Sequence, residues 1–393
     1  MRGSRLPQGS ENVFQTIRAR RAAAEVRGIT LLDLSIGEPK GPALLSAREA
    51  AAAAVMSAEE AMHAYQYNGS PGIPNFAQRF IQAHVPRIAA GQGVDYLPIP
   101  GIKPMLGLVP LACGCAEQRV SVATTTSPGY PTPADWCSYH PLVHHYALPL
   151  NPQNAFRFSP QDVVEGTALV MMNYPHNPSG QVATEDWLRQ LCQYCSERNI
   201  RLFNDAAYFV LSYGAESRTL SEVALDFPDL SWAEAFTAAK LIGNGTGWHI
   251  GAMVGSPDFI GDLQVVKGKT DTGFVAPMAA GVVAAFEHDQ AGIARYRDMY
   301  CSRLRLLIDL LTAHGMQLAL KPAAGFFTLW RGPCRAFGTR IESAAHFNFL
   351  MIEETGVVGV HFPGYIRYAV CGDVEAMAGD LDRAFNKAQV SYV

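Results

Sequence analysis

The apolar run Ala168-Leu-Val-Met-Met172, closed by Asn173-Tyr-Pro-His-Asn177-Pro-Ser-Gly180, constrains the fold more than any other stretch of the chain. A strand with no polar side belongs in a sheet covered by helices on both faces, the usual setting of parallel strands. Its surroundings repeat the pattern. Val120–Thr126 reads as a strand followed by the Ser127-Pro-Gly-Tyr130 turn. A helix is expected over Thr184–Glu197, then strands at Ile200–Phe203, Ala235–Thr237 and Ile250–Val254. Strands alternating with helices of this length predict an α/β fold on a doubly wound, mostly parallel sheet.

The flanks read differently. Glu11–Arg27, rich in Ala and Arg, is expected to be a surface helix or arm, and Leu31–Pro39 a short strand broken by Gly37 and Pro39. Helices are expected over Ala47–Ala61, Asn75–Val85 and from Pro104, with a turn-rich loop at Tyr65–Gly72. Beyond Ala291 come a helix to His314, strands at Met316–Leu320 and Phe326–Trp330, and a helix near Glu342–Glu354. A strand at Tyr365–Val370 and a helix over Val374–Lys387 complete the chain. At 393 residues the chain exceeds the roughly 250–300 residues at which single cores stop growing. The expected division is 1–45, an N-terminal arm and part of a small domain; 46–290, a large domain; and 291–393, a smaller α+β domain.

A net charge of −4 without a basic run leaves no footprint for nucleic acid or an anionic membrane. No apolar stretch reaches the roughly 20 residues of a membrane span, and no apolar segment follows Met1-Arg-Gly-Ser-Arg5 as in a signal peptide. A cytoplasmic protein is expected. Cys192 and Cys195 have C-x-x-C spacing, but they lie in a helical pattern and no second pair accompanies them. They read as core-facing thiols, and no metal site is expected.

Only seven lysines occur, and one of them, Lys240, stands between the apolar end of a strand and a loop in which four of eleven residues are glycine. There the backbone can approach a ligand closely, and burial lowers a lysine pKa and frees its lone pair for a Schiff base. Other unusual residues sit where strands end, the place ligands bind in such sheets. Asn204-Asp205-Ala-Ala-Tyr208 sets an acid and a phenol against one face, suited to a protonated ring nitrogen and its neighbouring phenolate oxygen. Asn177 offers an amide donor, Tyr130 a face for stacking, and Gly101-Ile102-Lys103 the N–H groups of a helix start.

Together these residues resemble the class I/II aminotransferases, pyridoxal-phosphate enzymes of fold type I, with a lean towards the diaminopimelate-type members. The resemblance runs from Leu34-Ser-Ile-Gly-Glu-Pro39 through Tyr67-Asn-Gly-Ser-Pro-Gly-Ile-Pro74, Asn173–Gly180, Asp205–Tyr208 and Lys240–Gly251 to Arg367. It implies transfer of an amino group between an α-amino acid and a 2-oxo acid by ping-pong half-reactions. Lys240 resembles the Schiff-base lysine and proton shuttle, and Asp205 the acid that keeps the pyridine nitrogen protonated. Asn177 and Tyr208 match the partners of the ring's 3-oxygen, and Tyr130 the stacking aromatic. Ile102, Lys103 and Thr237 match the phosphate cradle. Tyr67 matches a tyrosine that reaches the partner subunit's phosphate, which implies a homodimer with shared sites. Arg367 matches the clamp on the substrate α-carboxylate, with Gly37 and Asn177 on the substrate side.

Two stretches depart from the family pattern. The loop after Lys240 is one residue longer, and His249 stands where the family has a phosphate-binding arginine; Lys267, Lys269 and the added glycine N–H groups are candidates to compensate. The segment before Arg367, Val357-Val-Gly-Val-His-Phe-Pro-Gly-Tyr365, is shorter than the family's usual loop, which alters the substrate-side wall. Two alternatives stay open on sequence: a lyase or cyclase reaction on the same fold, and a non-catalytic cofactor-binding sensor domain. The chain has no basic helix-turn-helix extension of the kind such sensors carry.

Overall fold

The computed structural model describes residues 13–88 and 93–393, with side chains from Thr16 onward. Seven strands form the central sheet, in the spatial order Asp95–Ile99, Gly251–Gly255, Trp232–Thr237, Arg201–Asp205, Thr167–Asn173, Val120–Thr124 and Val143–Ala147. Gly251–Gly255 is antiparallel to both neighbours, and the other adjacent pairs are parallel. The α/β, mostly parallel sheet expected from the sequence is therefore present.

The inner strands are mostly apolar because both faces are covered. Val122, Leu169, Met171, Phe203, Ala233 and Ala235 point into one core. Ala123, Val170, Met172, Leu202, Trp232 and Phe236, one position along, point into another. Parallel strands end on the same edge. Register pairs Asn173 with Asp205 there, and Thr124 and Thr237 end the neighbouring strands.

Several elements differ from expectation. The strands Asp95–Ile99 and Val143–Ala147 carry Pro98, His144 and His145 and escape a search for apolar runs. Both lie at sheet edges, where proline and polar side chains are tolerated. The helices Pro257–Lys267 and Ala276–His288 were not foreseen either. The helix expected over Ala47–Ala61 is Leu45–Val55 followed by a separate turn, Glu60–His63, because the Ser57 hydroxyl accepts the Glu59 N–H and favours a turn. Met316–Leu320 forms no strand beyond a single bridge from Leu318 to Trp330. Helices Leu45–Val55 and Ala276–His288 approach closely. A Cβ on Gly281 would stand 2.4 Å from the Ala47 carbonyl oxygen.

A second, antiparallel sheet orders Val360–Phe362, Tyr365–Ala369 and Phe327–Arg331. The N-terminal segment joins it. Leu32–Asp33 pairs with Val357–Val358, and the Ala369 N–H donates to the Leu34 carbonyl at 2.7 Å. Of the arm expected over Glu11–Arg27, Glu11 and Asn12 lie outside the described residues; helix Val13–Val26 follows and buries Ile17 and Ala24 against Ile352, Val358 and Val360. The C-x-x-C cysteines point into the core from helix Glu185–Glu197, both fully buried.

Candidate active site

A cavity of ≈ 1180 Å³ opens where the parallel strands end, walled on its far side by the second sheet and helix Val13–Val26. Strand Trp232–Thr237 delivers Lys240 three residues past its end. The Thr237 hydroxyl accepts the Ala239 N–H at 3.1 Å, and Ala238 N–H donates to Ile250 O at 2.9 Å, which fixes the turn. Lys240 Nζ stands 4.9 Å from the centre of the Tyr208 ring. Burial lowers the Lys240 amine below the ordinary lysine range, and the nearby charge of Asp205 opposes it.

Asp205 ends the neighbouring strand. Among the described residues its carboxylate accepts one hydrogen bond, from the Ala207 N–H to Oδ1 at 3.0 Å. Burial pushes its carboxyl up to about 6, against the pull of Lys240 and of that N–H. Tyr208 packs edge-on to Phe326 and Phe327, each 5.5 Å between centroids, and burial raises its phenol.

Arg367 enters from strand Tyr365–Ala369 and is 6% exposed. Its Nη1 donates to Asn177 Oδ1 at 3.0 Å and its Nη2 to the Ser35 carbonyl at 2.8 Å. The guanidinium lies 4.2 Å over the Phe327 ring, and Nε has no hydrogen-bond partner among the described residues. Asn173 ties this network to the acid: its Oδ1 accepts the Asn177 N–H at 3.0 Å, and its Nδ2 donates to the Asp205 carbonyl at 2.8 Å. Gly37 completes the corner, since a Cβ there would meet Phe327 Cζ at 2.7 Å.

Of the residues singled out in the sequence, Gly37, Ile102, Lys103, Tyr130, Asn177, Asp205, Tyr208, Thr237, Lys240, His249 and Arg367 all line this one cavity. His249 is exposed there in a left-handed conformation, φ 54°. Its loop is pinned to the N-terminal segment, with Thr246 Oγ1 donating to Glu38 Oε1 at 3.0 Å and Asn244 Nδ2 to Gly41 O at 3.1 Å. Lys267 and Lys269 do not line the cavity. Lys267 is buried elsewhere, its Nζ 2.7 Å from Asp271 Oδ1 and 3.4 Å from Asn68 Oδ1, so it gives the cavity no charge. Tyr67 also lies outside, 54% exposed and edge-on to Tyr65 at 5.6 Å. Phe327 was not singled out in the sequence, and Asn173 and Ser35 appeared there only inside longer segments with no role of their own. Each acts by holding another residue, through an amide, a main-chain oxygen or a ring face, and none of these carries a motif.

The model of the family described as aminotransferase class I and II matches residues 29–379. The chain belongs to that family. It is a pyridoxal-phosphate-dependent aminotransferase. The LL-diaminopimelate aminotransferase of Syntrophobacter fumaroxidans is 27% identical, the match covering 94% of this chain and 95% of the relative. The enzyme of the same name from Moorella thermoacetica is 26% identical, covering 94% of each. Substrate-bound BacF from Bacillus subtilis superposes with a TM-score of 0.84 at 18% identity, over 100% of this chain and 99% of that one. Aspartate aminotransferase from Thermus thermophilus with maleate gives 0.77 at 20% identity, over 98% and 99%. These structures share its fold.

The cavity suits the cofactor of this family. It offers a buried carboxylate with an oxygen to spare, a lysine amine whose charge burial disfavours, and the aromatic ring of Tyr130.

Proposed function

We propose that this aminotransferase takes an amino donor of the diaminopimelate type and passes its amino group to a 2-oxo acid. The observation that carries the reading is the meeting of Lys240, Asp205, Asn177 and Arg367 in one cavity from four separate segments. Bound pyridoxal phosphate supplies the electron sink that makes the substrate Cα–H acidic. Lys240 Nζ would take the proton from the substrate Cα and give it up again, a task for which a lowered pKa suits it. Asp205 would keep a proton on the ring nitrogen, and the Tyr208 O–H and Asn177 Nδ2 would serve the ring's phenolic oxygen. Thr237 and the N–H groups of Ile102 and Lys103 would hold the phosphate, with His249 a further candidate, and Tyr130 would stack on the ring. Arg367 takes the α-carboxylate. Its Nε has no partner among the described residues, each Nη keeps a second N–H beyond its one hydrogen bond, and Gly37 leaves room for the substrate main chain.

Residues 46–290 are read as the unit that holds the cofactor, 1–45 as an N-terminal arm and part of the small domain, and 291–393 as the small domain. The active form is read as a cytoplasmic homodimer. Tyr67, exposed and outside its own cavity, is free to serve a partner's. All eight cysteines are unpaired, which suits a reducing compartment. The donor assignment draws on the names of the relatives. A panel of amino acids, each added alone and followed by the cofactor's absorbance, tests it: LL-diaminopimelate should convert the cofactor fastest. A clear preference for an apolar amino acid would refute the donor assignment.

A further inference from the structure

Helix Val13–Val26 presents two distinct faces. Ile17, Arg20 and Ala24, at spacings that share one side of a helix, with Arg27 just past its end, bind it to helix Ala344–Thr355. Arg20 Nη1 reaches Glu353 Oε1 at 2.5 Å and Arg27 Nη2 the Glu353 carbonyl at 2.7 Å, while Ile17 and Ala24 are buried. Arg18, Arg21, Ala22 and Glu25, at i, i+3, i+4 and i+7, form the adjacent side and line the active-site cavity. Arg21 is committed to Asp33, 2.9 Å from Oδ2. Among the described residues Arg18 and Glu25 have no ion-pair partner.

The segment before Arg367 forms a short hairpin beside this face. Strands Val360–Phe362 and Tyr365–Ala369 are joined directly by Pro363-Gly364. Val360, His361 and Phe362 of that hairpin also line the cavity, and burial lowers the His361 pKa. The hairpin brings no Asp, Glu, Lys or Arg to the cavity, whereas the helix brings Arg18, Arg21 and Glu25, of which Arg21 is paired with Asp33.

We propose that this helix face is the specificity wall for the far end of the donor, Arg18 meeting a distal carboxylate and Glu25 a distal ammonium, with Ala22 passing the methylene stem between them. The ligand class is an α-amino acid whose remote terminus is itself zwitterionic. Seven residues of helix separate Arg18 from Glu25 by about 10 Å along the axis, and both line the cavity on the same side as Ala22. The inference rests on the aminotransferase reading and deepens its substrate class.

The test uses holoenzyme and three donors of equal length: 2-aminoheptanoate, 2-aminopimelate and 2,6-diaminopimelate. Arg18→Ala should reduce the preference (ratio of kcat/KM) for 2-aminopimelate over 2-aminoheptanoate by more than about twofold and up to about fivefold, the upper end for an exposed ion pair. The change should appear in KM. Arg18→Glu should reduce it further. Glu25→Gln should reduce the preference for 2,6-diaminopimelate over 2-aminopimelate. Calorimetry with pimelate and heptanoate reads the wall without turnover: wild type should bind pimelate more tightly, and Arg18→Ala should lose the difference. Preferences unchanged within about twofold, or a loss seen with Lys103→Ala in place of Arg18→Ala, would overturn the proposal. A wild type that binds pimelate selectively but converts no amino acid would instead count against the reaction.

Discussion

Arg367 and Asn177 are 190 residues apart in sequence and meet at 3.0 Å between Nη1 and Oδ1. Through Asn173 the same contact reaches the main chain of Asp205. The proposed carboxylate clamp and ring acid are thus held in one hydrogen-bonded frame, although they come from different sheets.

Arg367→Lys keeps the charge but loses the planar fork and its stacking on Phe327. Losing a charged hydrogen bond of about 1.5–3 kcal/mol should lower kcat/KM for every α-amino acid donor about 10- to 100-fold. Cofactor content, read by absorbance, should be unchanged. Loss of cofactor would show that Arg367 supports the ring site instead.

Asp205 makes a signed prediction about stability. Its carboxyl is held up near 6 in the folded protein, against about 3.9 when unfolded. Between those values the folded state keeps a proton that the unfolded state has lost, so stability falls as pH rises through the window. At about 1.4 kcal/mol per pKa unit, cofactor-free protein should lose on the order of 3 kcal/mol from about pH 4 to 6. Urea midpoints across that range measure it. Asp205→Asn should remove most of this slope. An identical slope in both proteins would mean that Asp205 is not its source.

How much of this was legible in the sequence depended on where a residue's role resides. Lys240, Asp205 and Asn177 follow apolar strands, and parallel strands bring such ends to one edge; their convergence follows from chain order. The edge strands were not legible, because at an edge Pro98 and the two histidines of Val143–Ala147 can be tolerated. Lys267 looked like a spare cation on sequence, yet tertiary packing sealed it against Asp271 and Asn68. Arg18 and Arg20 are two residues apart on one helix, and only the packing partner tells which one meets the cavity.

His249 offers a gain-of-function test. It stands exposed in the cavity lining where the family pattern has an arginine. His249→Arg should slow loss of the cofactor, strengthening binding by about tenfold or more if a charged hydrogen bond to phosphate forms. Titration of cofactor into the cofactor-free protein measures this. Equal affinity in both proteins would show that residue 249 does not face the phosphate.

Tyr67 tests the shared site. Tyr67→Ala and Lys240→Ala homodimers should each be impaired. Mixed dimers place both defects in one site and leave the other intact, so mixing the two variants should restore activity above either alone. No recovery, with mixed dimers verified by mass spectrometry, would mean that Tyr67 does not serve the partner's site.

The most direct test of the central claim is to give holoenzyme the amino donor alone, with no acceptor, and to measure cofactor and product. The account predicts stoichiometric pyridoxamine phosphate and 2-oxo acid from wild type, reversed by adding a 2-oxo acid, and neither from Lys240→Ala. Release of ammonia with pyridoxal phosphate unchanged, or pyridoxamine phosphate formed equally well by Lys240→Ala, would contradict it.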